Sequence, residues 1–165
     1  MGYRLNAAVA EAPLLRCAAR GLARARPAAL RQGLALLPVT YGPVDQDDDI
    51  VVDDPPGFLL LTDWLVERIA ACSARGPLAY LEADFFGGAG SQQAVVWERG
   101  EIVLGPLHQP VGAPVPTSGS PLSQALRHLG VATAPGDHDE FDASGLGTHR
   151  SSGKWAESGA PLPGD

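Results

Sequence analysis

The sequence predicts an α+β fold, with a central antiparallel sheet built as a hairpin meander and packed by two or three helices. Three strand candidates follow one another between residues 78 and 104, with only short turns between them. Helical segments with one apolar face lie on both sides of this stretch, one after Pro56 and one after Ser120. Strands grouped together in the chain, with helices elsewhere, are typical of α+β domains.

The N-terminal part of the chain predicts a strand, a helix and a second strand. Tyr3 to Val9 is short and mostly apolar, which favours a strand. Pro13 to Arg20 predicts a helix, because proline fits the first helical turn. Leu34 to Thr40 predicts another strand, which runs into a turn at Gly42 and Pro43.

A further helix is predicted after the chain break at Pro55-Pro56-Gly57, and it should end near Ala74. Its charged residues fall away from its apolar stripe, as expected when one face is buried. The apolar side chains recur at helical spacing and should pack against the sheet: Phe58, Leu61, Leu65 and Ile69.

The strand candidates of the meander are residues 78–86, 92–98 and 101–104. Arg99-Gly100 between the last two is typical of a tight hairpin turn. The glycine-rich stretch 87–91 joins the first two and is predicted to be a connection. It lacks the lysine and the following helix of a phosphate-binding loop, so we do not expect an anion site there.

The C-terminal part predicts a surface connection, a helix and a tail. Residues 105–121 contain five prolines, which suits a surface loop. Ser120-Pro121 gives an N-cap and first-turn pair, and Gly130 ends the helix. From residue 145 the chain is rich in Gly and Ser. The predicted organisation is therefore one domain over residues 1–144 and a peripheral tail over residues 145–165.

The composition is that of one globular domain. The chain has 165 residues and a net charge of −7, and this length can close a hydrophobic core without metal or disulfide support. The longest apolar run, residues 58–61, is far too short to span a bilayer, and the first residues lack the apolar stretch of a secretory signal. Cys17 and Cys72 are expected to be free and buried. We therefore predict a cytoplasmic protein that does not contact membranes.

Charge is distributed unevenly along the chain. Residues 1–44 carry six Arg and one acidic residue, whereas residues 45–54, the acidic segment, carry six Asp and no base: Asp45, Asp47, Asp48, Asp49, Asp53 and Asp54. The acidic segment is either a docking surface for a basic protein or a solvated loop. It does not fit a calcium-binding loop, because Ile50 stands where glycine must turn and Pro56 replaces the bidentate glutamate.

Tyr80, Glu82 and Asp84 alternate along the first meander strand and therefore share one face. The two carboxylates suit an acid and base pair, metal ligands, a partner-binding surface, or the solvent side of a half-covered sheet. The sequence places no histidine or third carboxylate beside them, and the four His residues lack metal-binding spacing. No catalytic motif, metal site or cofactor is therefore predicted.

Nucleic-acid binding is not predicted. Arg16, Arg20 and Arg24 would form a basic stripe on a continuous helix. No aromatic residues interleave with them, however, and the whole chain is acidic. A solvated helix face is the better interpretation.

Three stretches resemble a group of small, mostly uncharacterised bacterial proteins. They are YLEADFFGG from Tyr80 with its continuation GSQQAVVWERGEIVLGP, then SPLSQALRHLGV and DEFDASGLGTHR. The resemblance covers residues 30 to 155. In size, acidity and single-domain build, the group is similar to the immunity proteins paired with polymorphic bacterial toxins. The resemblance implies binding to a protein and assigns no site residues.

These observations favour binding over catalysis. The predicted function is that of a cytoplasmic protein-binding domain, an immunity protein that neutralises a basic cognate toxin, since charge complementarity speeds association. Its predicted partner-binding residues are the six Asp of the acidic segment with Tyr80, Glu82 and Asp84. Two alternatives stay open: a small hydrolase that uses Glu82 and Asp84, and a regulatory module without a catalytic role.

Overall fold

A computed structural model of the protein describes residues 2–20, 27–39, 55–86 and 89–158. Within these ranges the chain forms a six-stranded antiparallel sheet and five α-helices, which confirms the α+β class. In chain order the elements are β1 (Gly2–Glu11), α1 (Ala12–Ala19), β2 (Ala28–Ala29), β3 (Leu34–Pro38), α2 (Asp63–Cys72), β4 (Leu78–Phe86), β5 (Ala89–Glu98), β6 (Glu101–Gln109), α3 (Pro121–His128), α4 (Glu140–Ser144) and α5 (Ser152–Ser158).

The sheet is the middle layer of three. Its strands are ordered β2-β3-β1-β4-β5-β6, and neighbouring strands are antiparallel. Side chains alternate between the two faces of a strand. β1 buries six consecutive residues, 5–10, so both faces of the sheet are covered near its centre.

Two separate apolar clusters fill the space on either side of the sheet. On one face the sheet packs against α1 and α2, and the largest fully buried side chains there are Leu15, Leu61, Ile69, Leu78, Tyr80 and Val95. On the other face it packs against α3, α4 and α5, where the buried side chains include Leu5, Val9, Leu81, Leu126, Leu146 and Trp155. None of the helices in the described ranges is long and apolar enough to cross a membrane.

The apolar face predicted after Pro56 is buried, but the helix is shorter than expected. α2 begins at Asp63, because the Thr62 hydroxyl accepts a hydrogen bond from the Leu65 N–H at 3.3 Å and caps the helix there. The first two apolar positions therefore reach the core from the irregular segment before the helix. All four predicted positions are buried: Phe58, Leu61, Leu65 and Ile69.

The meander is confirmed and is longer than predicted. β4, β5 and β6 pair in succession, and Arg99 and Gly100 adopt φ values of 55° and 80°, as a tight hairpin turn requires. β5 already begins at Ala89, next to Gly87 and Gly88, which lie outside the described residues. β6 continues to Gln109 in spite of Pro106, because an edge strand tolerates a missing backbone donor.

The expectation of a peripheral tail from residue 145 is wrong for residues 145–158. Leu146 and Trp155 are buried in the core on the α3 side. β3 pairs with β1 only from Ala7 onward, which leaves the start of β1 without a neighbour on that side. Residues 150–152 fill this place: the Arg4 N–H donates to the Arg150 carbonyl at 2.9 Å, and the Asn6 N–H donates to the Ser152 hydroxyl at 2.8 Å.

The expectation of two free cysteines is also wrong. Cys17 in α1 and Cys72 in α2 form a disulfide, with Cα atoms 6.0 Å apart, within the usual range for such bonds. They are separated by 55 residues in the chain. Both helices pack on the same face of the sheet, and this tertiary arrangement brings the two thiols together.

Candidate partner-binding surface

The acidic segment lies outside the described residues, but the chain on either side of it is anchored at one place on the sheet. Before it, the Val39 N–H donates to the Asn6 carbonyl at 2.7 Å. After it, the N–H groups of Leu59 and Leu60 donate to the Glu82 carboxylate. Asn6 and Glu82 face each other in neighbouring strands. Asn6 and Glu82 lie near the middle of β1 and β4, so the described chain before and after residues 40–54 is bonded to the same part of the sheet.

Glu82 is buried, with 2% of its surface exposed. Its carboxylate accepts hydrogen bonds from the Leu59 N–H at 2.7 Å, the Leu60 N–H at 2.8 Å and the Tyr80 hydroxyl at 2.9 Å. Three donors compensate for removing the carboxylate from water. Glu82 therefore fixes the chain around residues 59–60 to β4.

Tyr80 and Glu82, which the sequence predicts to bind a partner, are buried. Tyr80 is fully buried, and its ring packs against Phe58 with ring centres 5.6 Å apart. Alternation along the strand correctly places both side chains on the same face as Asp84. That face is covered, however, by α2 and by the segment before it, so neither residue reaches a partner at the surface.

Asp84 is the exposed member of the predicted group. About half of its side chain, 51%, is exposed, and its carboxylate pairs with the Arg4 guanidinium at 3.0 Å across neighbouring strands. Such exposed ion pairs contribute little to stability, so Asp84 remains available for intermolecular contacts. It is the one predicted residue in the described part of the chain that a partner can contact.

A small cavity lies between Arg4, Asp84, Ser91 and Gln93, beside Glu82. Its volume is about 50 Å³, room for one or two water molecules. Organic ligands need several hundred Å³. Among the described residues there is also no group of three His, Cys, Asp or Glu side chains that could hold a metal ion.

Two large apolar side chains are exposed beside Asp84. Phe86 follows Asp84 on the same face of β4 and is 76% exposed, and Leu59 lies over Glu82 and is 61% exposed. The sequence pattern places Phe86 on this face but gives no indication that it is uncovered. Leu59 is exposed because its backbone N–H is bonded to the Glu82 carboxylate. The sequence pattern does not predict this bond.

We call Leu59, Asp84 and Phe86 the sheet-end surface. It combines two exposed apolar side chains with an exposed carboxylate. No protein-family model, curated protein or solved structure matches this chain. Any functional assignment therefore depends on the chemistry of its own residues.

Proposed function

We propose that this protein is a protein-binding domain that neutralises a basic partner, in the manner of an immunity protein paired with a toxin. The single observation that carries the proposal is the exposure of Leu59 and Phe86 beside Asp84. Interfaces draw most of their binding energy from a few large side chains surrounded by polar groups. The sheet-end surface has this composition.

Charge supports a basic partner. The acidic segment supplies six carboxylates, and the described chain before and after it is bonded to Asn6 through Val39 and to Glu82 through Leu59. A concentrated negative charge attracts a basic protein, raises its association rate and disfavours acidic competitors. The apolar side chains would then slow dissociation.

The hydrolase alternative has no support in the arrangement of Glu82 and Asp84. Glu82 is committed to three hydrogen bonds in the interior, and Asp84 is paired with Arg4. The cavity beside them, about 50 Å³, has room for water but not for an organic substrate. A non-catalytic regulatory module would use the same surface. It differs from an immunity protein in that its partner is not a toxin.

The proposal is tested by identifying the partner and then by blocking its action. Immobilised wild-type protein should retain a basic protein from an extract of the cells that naturally produce it, at low salt, and release that protein at high salt. Expressed alone, that partner should stop bacterial growth, and co-expression of this protein should restore growth. Leu59→Ser and Phe86→Ser should abolish both retention and rescue, since they remove the apolar contacts.

A matched variant controls for general surface effects. Val111 and Val115 are exposed apolar side chains in the connection after β6, and changing both to Ser should leave rescue unchanged. A partner that does not impair growth would contradict the immunity role and favour regulation. Rescue that survives the Leu59 and Phe86 changes would remove the sheet-end surface from the proposal.

The cytoplasm is the compartment proposed from the sequence, whereas the Cys17–Cys72 disulfide is a bond typical of oxidising compartments, so the state of this pair in cells decides between the two. Cytosolic thiols are kept reduced, whereas disulfides persist in oxidising compartments. When the cells that naturally produce the protein are lysed in acid to stop thiol exchange, an alkylating reagent should label both cysteines if the protein is cytoplasmic. A pair that is fully oxidised in those cells would contradict a cytoplasmic location.

A further inference from the structure

A cleft of about 390 Å³ opens on the face of the sheet opposite Glu82, between the ends of β1, β4 and β5 and the helices α3 and α4. This volume lies within the range of small-molecule sites. The residues that line it include three aromatic rings and several polar side chains. None of its lining residues belongs to the sheet-end surface, so it is a separate feature of the molecule.

The walls of the cleft are aromatic. Tyr3 and Phe85 face each other in neighbouring strands, and Phe141 packs edge-on against Tyr3 with ring centres 5.4 Å apart. The Tyr3 hydroxyl donates to the Leu146 carbonyl at 3.1 Å. Burial raises the pKa of the Tyr3 phenol far above its usual value, so the hydroxyl keeps its proton. These fixed rings suit a flat, apolar ligand body.

Gln92 supplies an inward donor. It is only 8% exposed, and its Oε1 accepts a hydrogen bond from the Leu122 N–H at 2.9 Å at the start of α3. This bond fixes the orientation of the amide, because only the oxygen can accept. The Nε2 group therefore lines the cleft with two N–H donors, for which no hydrogen bond is found among the described residues. These N–H groups are reachable from the cleft, so they can pair with an acceptor that a ligand brings.

Arg150 and Asp139 add charge at the rim of the cleft. The Arg150 carbonyl is held by the Arg4 N–H, while none of the ion pairs found among the described residues involves its guanidinium. The Asp139 carboxylate accepts the Asp142 N–H at 3.0 Å and caps α4. The cleft thus offers a cation and an inward N–H donor for an anion, with Asp139 as an acceptor for a ligand N–H or O–H.

We propose that this cleft binds a small planar aromatic carboxylate that also carries a hydrogen-bond donor. The ligand ring packs against the aromatic wall formed by Tyr3, Phe85 and Phe141. The ligand carboxylate accepts hydrogen bonds from the Gln92 N–H groups and pairs with the Arg150 guanidinium. The hydrogen-bond donor of the ligand donates to the Asp139 carboxylate. This site is independent of the proposed partner binding on the other side of the sheet.

The test uses two probes of nearly equal shape, indole-3-acetate and its neutral analogue indole-3-acetamide, titrated into the ¹⁵N-labelled protein and followed by NMR. Indole-3-acetate should shift the amide signals of Tyr3, Phe85, Gln92 and Phe141 at millimolar concentration or below, and it should bind more tightly than the amide. Arg150→Gln should weaken binding of the carboxylate about tenfold and leave the affinity for the amide unchanged.

Gln92→Glu tests the inward donor without removing the cap of α3. The new carboxylate still accepts the Leu122 N–H, but it replaces two donors with a negative charge. Affinity for indole-3-acetate should fall roughly ten- to hundredfold. Arg75→Gln removes an exposed charge from the other side of the sheet and should change nothing. The spectrum of each variant without probe reports whether it is folded.

Three results would overturn the proposal. The first is that neither probe shifts the signals of the cleft at millimolar concentration. The second is that the shifts concentrate elsewhere on the protein. The third is that Arg150→Gln leaves the preference for the carboxylate unchanged. Because Arg150 is exposed and contributes only its backbone to the fold, its variant remains informative even if Gln92→Glu fails to fold.

Discussion

At the scale of single residues, Glu82 has a structural role, because its carboxylate links β4 to the segment before α2. A carboxylate buried without partners is strongly unfavourable, and Glu82 avoids this cost by accepting three hydrogen bonds. Two of these come from backbone groups 22 and 23 residues earlier in the chain. One side chain therefore holds the segment before α2 in place and exposes Leu59.

Glu82→Gln should lower the free energy of unfolding by about 1–3 kcal/mol. Glutamine has one acceptor oxygen, so its NH₂ group must face a backbone N–H, and one buried donor loses its partner. Urea unfolding measures the change. The matched control is Asp84→Asn in the same strand, which should cost less than about 1 kcal/mol because Asp84 is exposed. Equal losses for the two variants would contradict the structural role of Glu82.

At the scale of elements, α1 and α2 form one layer on the Glu82 side of the sheet, and two kinds of interaction keep them there. Leu65 and Ile69 of α2 are buried in the core, and the disulfide joins the end of α2 to α1. Burial acts on the folded state, whereas a disulfide acts mainly by restricting the unfolded chain. The two contributions can therefore be measured separately.

Leu65→Ala should lower the free energy of unfolding by about 2–5 kcal/mol, since it removes buried methyl groups and leaves a cavity. Leu59→Ala makes the same chemical change at an exposed position and should cost less than about 0.5 kcal/mol. Thermal or denaturant unfolding of both variants gives the comparison. A loss below about 0.5 kcal/mol for Leu65→Ala would mean that α2 does not pack as described.

Removing the disulfide by Cys17→Ala with Cys72→Ala should lower the free energy of unfolding by about 2–4 kcal/mol, because the bond closes a long loop in the unfolded chain. A reductant should destabilise the wild-type protein by a similar amount and leave the double variant unaffected. Sensitivity of the double variant to the reductant, or no difference between the oxidised and reduced wild type, would contradict this account.

At the scale of the whole molecule, acidic and basic residues are separated along the chain, and the two proposed binding surfaces lie on opposite faces of the sheet. The described chain on both sides of the acidic segment is bonded to Asn6 and Glu82, while the aromatic cleft opens on the face opposite Glu82. The central sheet buries both of its faces. A partner on one side and a small ligand on the other could therefore bind at the same time.

Changing Asp47, Asp48 and Asp49 to Asn should slow association with a basic partner and leave the fold intact, since the loss of electrostatic steering acts mainly on the on-rate. Stability should stay the same or rise slightly, because six neighbouring carboxylates repel one another. The effect should shrink as the salt concentration rises to and above the physiological level, where the Debye length is about 8 Å or less. Stopped-flow association at two ionic strengths measures it.

The control for this experiment is a triple variant with the same change in charge at exposed sites away from the sheet-end surface: Glu11→Gln, Glu101→Gln and Glu157→Gln. It should slow association less than the Asn variant does. Equal rates for wild type and the Asn variant at low salt would remove the acidic segment from the binding surface and leave Leu59, Asp84 and Phe86.

The elements that could be predicted are those specified by neighbours in the chain. α3 begins where Ser120 caps it, with the Ser123 N–H donating to the Ser120 hydroxyl at 3.2 Å, and Gly130 adopts the positive φ that ends it. The turn at Arg99-Gly100 is equally local. The apolar spacing of Leu65 and Ile69 identified the buried face of α2. Each of these signals acts within a few residues, so the sequence by itself determined the fold class.

The candidate sites depended on contacts between distant parts of the chain, which only the tertiary structure decided. The pairing of β1 with β4 puts Asn6 opposite Glu82 and Tyr3 opposite Phe85, and the return of residues 150–152 to β1 places Arg150 at the rim of the cleft. An alternating pattern gives the face of a strand but not what covers that face. Glu82 and Asp84 therefore read alike in the sequence, yet one is buried under the segment before α2 and the other is exposed.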